Sequence, residues 1–392
     1  MIYIGFGFLM VFLKTGSWTA VGFNYMLSAF AFQWGILNAG FWHQVFGGHG
    51  FKKISLDIMS LILGDFAAGC CMITYGALLG KADLFQLFVL MTLEIIFYAL
   101  NESIAVQIYH AVDMGGSMVI HTFGAFFGLA ASYFFNNRKA IEQHDAKCGG
   151  GYVSQYVAML GTVFLFMFWP SFNSALAPAI SQQRVVVNTA MAMSASCIGA
   201  AAFARLNDSK LEMEIMLNAT LAGGVIIGAA SDIVVAPGVA IIIGGMGGMV
   251  SAAGFAYLTP GLRNSKFFHL HDTCGVLNLH GIPGVLGALS GAVCAALADQ
   301  TWANPEAASI VFAETNNGRS FKQQGGYQLA ALFTTLFIAI VGGAFSGWIS
   351  SKVGRNPHHL FEDVEHFVHV HYEHNLDKHC PDDDHQDKNH HK

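Results

Sequence analysis

The chain has 392 residues, 54% hydrophobic and only 11% charged. Soluble domains carry roughly 25% charged residues, so this is a membrane composition, and an ordinary soluble domain is excluded. The formal net charge of -6 says little about partners, because much of the acid lies in the C-terminal tail; no nucleic-acid partner is expected.

A spanning helix needs about 20 mostly apolar residues. Eleven apolar segments are expected, at 1–13, 17–46, 54–80, 83–110, 115–136, 151–175, 185–206, 215–232, 235–257, 268–298 and 322–352. The first run, MIYIGFGFLMVFL, is too short to span unaided, which leaves open a natural chain that extends upstream. No cleavable signal with a basic leading region is visible. Glycine is abundant, at 44 residues, as expected where membrane helices pack closely. Seven cysteines are scattered, at Cys70, Cys71, Cys148, Cys197, Cys274, Cys294 and Cys380. Their odd number and the placement of five of them in or beside apolar runs read as reduced packing residues, with no disulfide or zinc framework.

With eleven spans the termini lie on opposite sides. Fourteen of the 19 Lys and Arg residues fall on the side of the C-terminus and five on the other, which puts the C-terminus in the cytoplasm. The chain divides into a transmembrane domain at 1–355 and a cytoplasmic tail at 356–392. Ten of the 18 His lie from His358 onward. The tail reads as a solvated segment, with metal binding as the sharper alternative, although no fixed ligand spacing recurs.

One stretch occurs twice. DMGGSMVIHTFGAFFG at 113–128 and DTCGVLNLHGIPGVLG at 272–287 agree at Asp113 and Asp272, Gly116 and Gly275, His121 and His280, and Gly128 and Gly287. Each opens an apolar segment, the fifth and the tenth. Segments one to five and six to ten are then two halves that cross the membrane in opposite directions, because five is odd. Such inverted repeats place their sites near the midplane at the repeat interface. Eight helical residues rise about 12 Å. Asp113 and Asp272 are therefore expected at helix starts, where a carboxylate caps orphan N–H groups and meets the positive dipole end. His121 and His280 are expected to meet near the midplane from opposite helices.

An ionisable residue in mid-membrane is expensive and reads as functional by default. A metal site usually needs three or four ligands, and no third shares this pattern. No nucleophile elbow or triad signature appears, and no P-loop, so the chain is not read as an enzyme, and no cofactor is expected. A proton-driven transporter fits the ionisable groups. A conduit for a small polar molecule fits as well, because two neutral imidazoles share one hydrogen bond and still offer donors and acceptors along an apolar pore. Ammonia suits such a lining, whereas ammonium would bear a large desolvation cost.

GGSMVIHTFGAFFGL, FWPSFNSA, NATLAGGV and HDTCGVLNLHGIPGVLGAL, with GFGFLMVFLKTGSWTAVGFNY at the start, resemble the Rh glycoproteins of the ammonium transporter/Rh superfamily over about residues 1–365. The sequence departs from the eukaryotic pattern in lacking the usual first helix and glycosylated external loop, and in its His-rich tail. The resemblance implies an all-α ammonium-transporter-like fold of about 11 transmembrane helices in two inverted five-helix repeats plus a final helix, in the plasma membrane. It implies a homotrimer with one pore per subunit. His121 and His280 match the twin pore histidines, Phe66 and Phe172 the stacked external phenylalanines, and Asp113 and Asp272 the acidic pair at the pore helices' starts. Glu102 matches a vestibule acid that attracts ammonium, and Ser117 lies near His121 in the motif. The implied function is ammonium recruitment, deprotonation and passage of neutral ammonia. The alternatives are a carbon dioxide channel and an ammonium-sensing scaffold whose tail binds a cytoplasmic partner.

Overall fold

The computed structural model describes residues 2–48, 50–135, 150–207, 210–265, 270–302, 305–355, 357–358 and 360–368. Among these the chain is helical, without strands. Its principal helices are α1 (Ile2–Leu9), α2 (Ser17–Gly47), α3 (Ile58–Leu78), α4 (Leu84–Ser103), α5 (Phe123–Ser132), α6 (Tyr152–Ser174), α7 (Ala179–Leu206), α8 (Met213–Ile227), α9 (Pro237–Ala253), α10 (Ile282–Ala296) and α11 (Phe321–Ser350). With their 3-10 and π continuations, nine helices among the described residues are long and apolar enough to cross a membrane. The protein is therefore a multi-pass membrane protein. α1 is short, as expected from its sequence. α2 has the length, at 31 residues, but is not among the nine, and it turns Asn24, Ser28 and Asn38 inward.

The helix starts follow local chemistry. Asp57 with Ser60, Asp83 with Gln86, and Ser320 with Gln323 each form a reciprocal capping box, satisfying N–H groups that have no partner in the first turn. Two expected segments begin later than their apolar character suggests. Residues 109–116 and 270–275 are not helical, and helix resumes only at Ser117 and Val276. Both breaks end on a glycine in the left-handed region, Gly116 and Gly275, each at φ +67. The short helices Ala298–Thr301 and Pro305–Val311, and the 3-10 turn Ala313–Asn317, lie between expected segments and were not anticipated from the apolar pattern.

The two halves repeat the same packing. α2 packs on α3 and α4, and α3 on α5; in the second half α7 packs on α8 and α9, and α8 on α10. The equivalent helices α1 and α6 pack on each other, and α11 lies across α4, α5 and α10. Glycine pairs let the pore helices approach their neighbours closely. A Cβ on Gly124 would stand 2.7 Å from the Cys70 carbonyl, and one on Gly128 2.8 Å from Thr74 Cα, so both glycines seat α5 against α3. In the other half a Cβ on Gly287 would meet the Ile226 carbonyl at 2.5 Å and one on Gly291 the Ala229 carbonyl at 3.0 Å, where α10 crosses the end of α8. With no hydrophobic force between helices in lipid, such close packing is what holds them together.

The face holding the α2–α3 connection is called upper here and the opposite face lower. After α11 the chain folds back across the lower face. The Phe361 N–H donates to the Gly80 carbonyl at 2.9 Å. Asp363 accepts from the backbone N–H groups of Trp18 and Thr19 at 2.9 and 2.7 Å, capping α2 from a distance in sequence. The chain after residue 355 thus begins as a docked segment, and the His-rich remainder from 369 lies outside the described residues. Gly128→Leu is expected to destabilise the protein by about 1–3 kcal/mol through overpacking. Thermal unfolding in detergent checks this, and an unchanged midpoint would contradict the close α3–α5 contact.

Candidate functional site

The site grows from the two helix breaks. Gly116 and Gly275 let the chain turn sharply before re-entering helix, and each carbonyl then accepts from residues of the new first turn: from Ile120 and His121 at 3.0 and 2.9 Å, and from Asn278 and Leu279 at 3.0 and 3.1 Å. The preceding aspartates cap the same turns. Asp113 Oδ2 accepts from the Met118 and Val119 N–H groups, both at 2.9 Å. Asp272 accepts from Val276 at 3.0 Å and Leu277 at 2.9 Å. Burial pushes both carboxyls above the usual carboxylate range, Asp113 to about 6, against the pull of these N–H groups; the Lys81 ammonium adds to that pull at Asp272. Lys81 is itself buried, donating to Ser132 Oγ at 2.6 Å and the His271 carbonyl at 2.8 Å.

Both re-entering turns, Ser117–Thr122 and Leu277–Gly281, are π-helical. A π-turn inserts an extra residue and is frequent at functional sites. Each carries the motif histidine, and the two rings meet. His121 Nδ1 lies 3.1 Å from His280 Nδ1, with rings 10° from parallel and residues 1% and 3% exposed. One Nδ1 must donate and the other accept, so the two rings are never both protonated at Nδ1 in this bond. The helices feeding the turns match too, since α4 and α9 both end in π-helical segments, Ile104–Ile108 and Gly254–Leu258.

Above His121 the path is closed by aromatic rings. Phe66 and Phe172 stand 4.8 Å apart, centroid to centroid, and Phe172 lies 6.1 Å from the His121 ring. Trp169, which sequence reasoning missed, stacks on His121 at 5.5 Å and 20°. Its position three residues before Phe172 in FWPSF, one helical turn away, was the available signal. Above Phe66 opens a vestibule of about 280 Å³ lined by Glu102, Asp113, Tyr98 and His43 among others. Below His280, a cavity of about 20 Å³ lined by Phe6, Ile73, Val276, Leu279 and Asn218 holds roughly one water-sized molecule.

The structure therefore brings Phe66, Phe172, His121 and His280 into succession, each ring beside the next, with Glu102 and Asp113 lining the vestibule above and Asp272 capping the lower pore turn. Ser117 does not join them. Its hydroxyl donates to the Val225 carbonyl and accepts from the Ala229 N–H, each at 2.7 Å. It ties the pore turn to the end of α8, and with both bonds made inside the protein it has no role in the lining. Two further pairs were not legible in advance. His43 Nε2 lies 2.6 Å from Glu102 Oε2, and the Tyr3 hydroxyl donates to the Asp65 carboxylate, joining α1 to α3 beside Phe66. No cluster of metal-ligating residues occurs among the described residues.

Residues 1–355 match the family described as the Ammonium Transporter Family. The chain is 42% identical over 350 residues to the ammonium transporter Rh type B of Homo sapiens, covering 88% of this chain and 75% of that one. It is 41% identical to the ammonium transporter Rh type C of Xenopus tropicalis over 89% of this chain and 74% of that one. Among solved structures it resembles Rh50 of Nitrosomonas europaea with a TM-score of 0.80 and 30% identity, covering 96% and 91% of the two chains. Mep2 of Saccharomyces cerevisiae shares the fold, with a TM-score of 0.67 and 18% identity over 88% and 83% of the chains.

The capping geometry makes a prediction. Asp113→Ala removes the acceptor for two N–H groups and is expected to cost about 0.5–2 kcal/mol, whereas Asp113→Asn keeps an acceptor and costs little. Equal melting temperatures for the Ala variant and the parent would contradict the capping role.

Proposed function

We propose, from the premise that the chain belongs to the ammonium transporter family and moves ammonium or ammonia across a membrane, that it does so by passing neutral ammonia through a pore within each subunit. The observation that carries this reading is the mutual hydrogen bond of His121 and His280, buried in a path lined mostly by apolar side chains. A cation entering there would lose its hydration with no fixed anion to replace it. Ammonia, which donates and accepts hydrogen bonds, finds a partner of either kind along two neutral imidazoles.

The sequence of events follows from the order of the residues. Ammonium gathers in the vestibule, drawn by Glu102 and Asp113. It loses a proton above the Phe66–Phe172 constriction, because the space below is too narrow and too apolar for a hydrated ion. The rings open transiently, ammonia passes His121 and His280 in turn, and it regains a proton at the lower mouth. Net transfer is electroneutral and follows the ammonia gradient. Asp113 and Asp272 act by holding the two pore turns in register. The excess of Lys and Arg on the lower side supports a cytoplasmic lower face, an external vestibule and a place in the plasma membrane. Because the path is enclosed by one chain, assembly of three copies gives three independent pores.

Ammonia flux into proteoliposomes, followed by an internal pH dye, tests this. Permeability equal to that of empty liposomes would end the reading. His280→Asp places a charge against His121 in the narrowest region, and its flux is expected to fall at least about tenfold, a barrier rise of roughly 1.4 kcal/mol. Parental flux from a correctly folded His280→Asp protein would contradict the assignment of this pair.

A further inference from the structure

Deprotonation of ammonium above the constriction needs a base, and the vestibule wall contains one that the steps above leave unused. His43 stands in the last turn of α2 with Nε2 2.6 Å from Glu102 Oε2 on α4. The two side chains are 30% and 10% exposed, so the pair is half sheltered yet reachable. His43 lines the vestibule together with Phe66, Glu102 and Asp113. It also lines a second cavity of about 370 Å³, walled by Gln44, Lys52, Lys53, Asp57 and Ser60. Met59 and Leu63 border both spaces. An imidazole at the junction of two chambers, backed by a carboxylate, has the arrangement of a general base, in which the acid orients the ring and stabilises the imidazolium that forms.

We infer that His43 is the proton acceptor for ammonium at the upper mouth, with Glu102 as its positioning partner. This rests on the ammonia-passing reading above and deepens it. In the neutral ring Nε2–H donates to Glu102, which leaves Nδ1 with a free lone pair; Nδ1 has no hydrogen-bond partner among the described residues. The ammonium N–H bond breaks with its electron pair staying on nitrogen, and the proton goes to Nδ1. Ammonia moves on past Phe66. The imidazolium, paired with the Glu102 carboxylate, then releases the proton to water in the side cavity, and the neutral ring is restored. Proton and ammonia thus leave the site by different spaces, and the charge never enters the narrow path. Charged and titratable groups facing the ring come from every surrounding element: Tyr98 and Glu102 on α4, Asp113 before the pore turn, and Lys52, Lys53 and Asp57 from the α2–α3 connection. The two lysines favour release of a proton on the side-cavity side. Asp113 is the competing base, but one of its oxygens is committed to two backbone N–H groups.

The test is protein-dependent ammonia flux in proteoliposomes at fixed external ammonium, from external pH 5.5 to 8, with the empty-liposome rate subtracted. The parent protein is expected to rise through a single inflection as the imidazole loses its proton, and then level off. His43→Gln is expected to lose the inflection and fall about tenfold, at or below the low end of what a positioned base contributes, because vestibule water still serves slowly. Added external imidazole is expected to restore much of the rate in His43→Ala, a rescue that a merely structural role would not show. A folded His43→Gln protein that keeps rate and inflection overturns the assignment, as does an inflection lost in Asp113→Asn and retained in His43→Gln. A flat profile in the parent overturns it without any variant. Parental flux no greater than empty liposomes instead ends the ammonia reading itself, so the two failures are distinguishable.

Discussion

The rest of the structure depends on one hydrogen bond, between two imidazoles buried where a membrane protein can least tolerate charge. His121 and His280 each offer Nδ1 to the other at 3.1 Å, and that arrangement requires one donor and one acceptor. A proton added to the accepting nitrogen would leave two donors facing each other and break the contact. The pair is thus compatible with a path that excludes cations and still offers polar partners to a small neutral molecule. Burying either ring alone would leave an unmet polar group in an apolar medium; buried together, each satisfies part of the other's need.

Holding two rings in that register from opposite sides of the membrane demands symmetry in the backbone. The same devices appear in both halves: a non-helical approach, a glycine in the left-handed region at φ +67, an aspartate capping the next turn, and a π-helical turn carrying the histidine. Glycines in the following helices, Gly124 and Gly128 in one half and Gly287 and Gly291 in the other, then bring each pore helix against its support. The halves differ in what surrounds the caps. Lys81 sits beside Asp272, between Ser132 and the His271 carbonyl, whereas Asp113 opens onto the vestibule with Glu102. A path with one acidic and one lysine-buffered end is not symmetric in its electrostatics, whatever its backbone.

Much of this was legible in the residues. A carboxylate eight positions before an imidazole, twice, at the start of apolar runs, reads as capped helices meeting at the midplane, and the capping bonds and ring contact are found as that spacing requires. The break at 109–116 falls on the gap expected between the segments ending at 110 and starting at 115, whereas the break at 270–275 was not legible, because the expected segment runs through it from 268 and hydropathy does not register backbone conformation. Ser117 was drawn into the pore by its nearness to His121 in sequence. Its hydroxyl instead bonds to the Val225 carbonyl and the Ala229 N–H at the end of α8. His43 and Glu102 are 59 residues apart on different helices, and no local pattern links them. Trp169 was one aromatic among many until the fold laid it on His121.

The account separates charge from nitrogen above the phenylalanine pair, and everything below that point follows from the separation. The most direct test measures both quantities at once. Proteoliposomes under an ammonium gradient are followed by internal pH and by membrane current together. The account predicts rapid internal alkalinisation with no sustained current. A steady inward current carrying one charge for each nitrogen moved would contradict it.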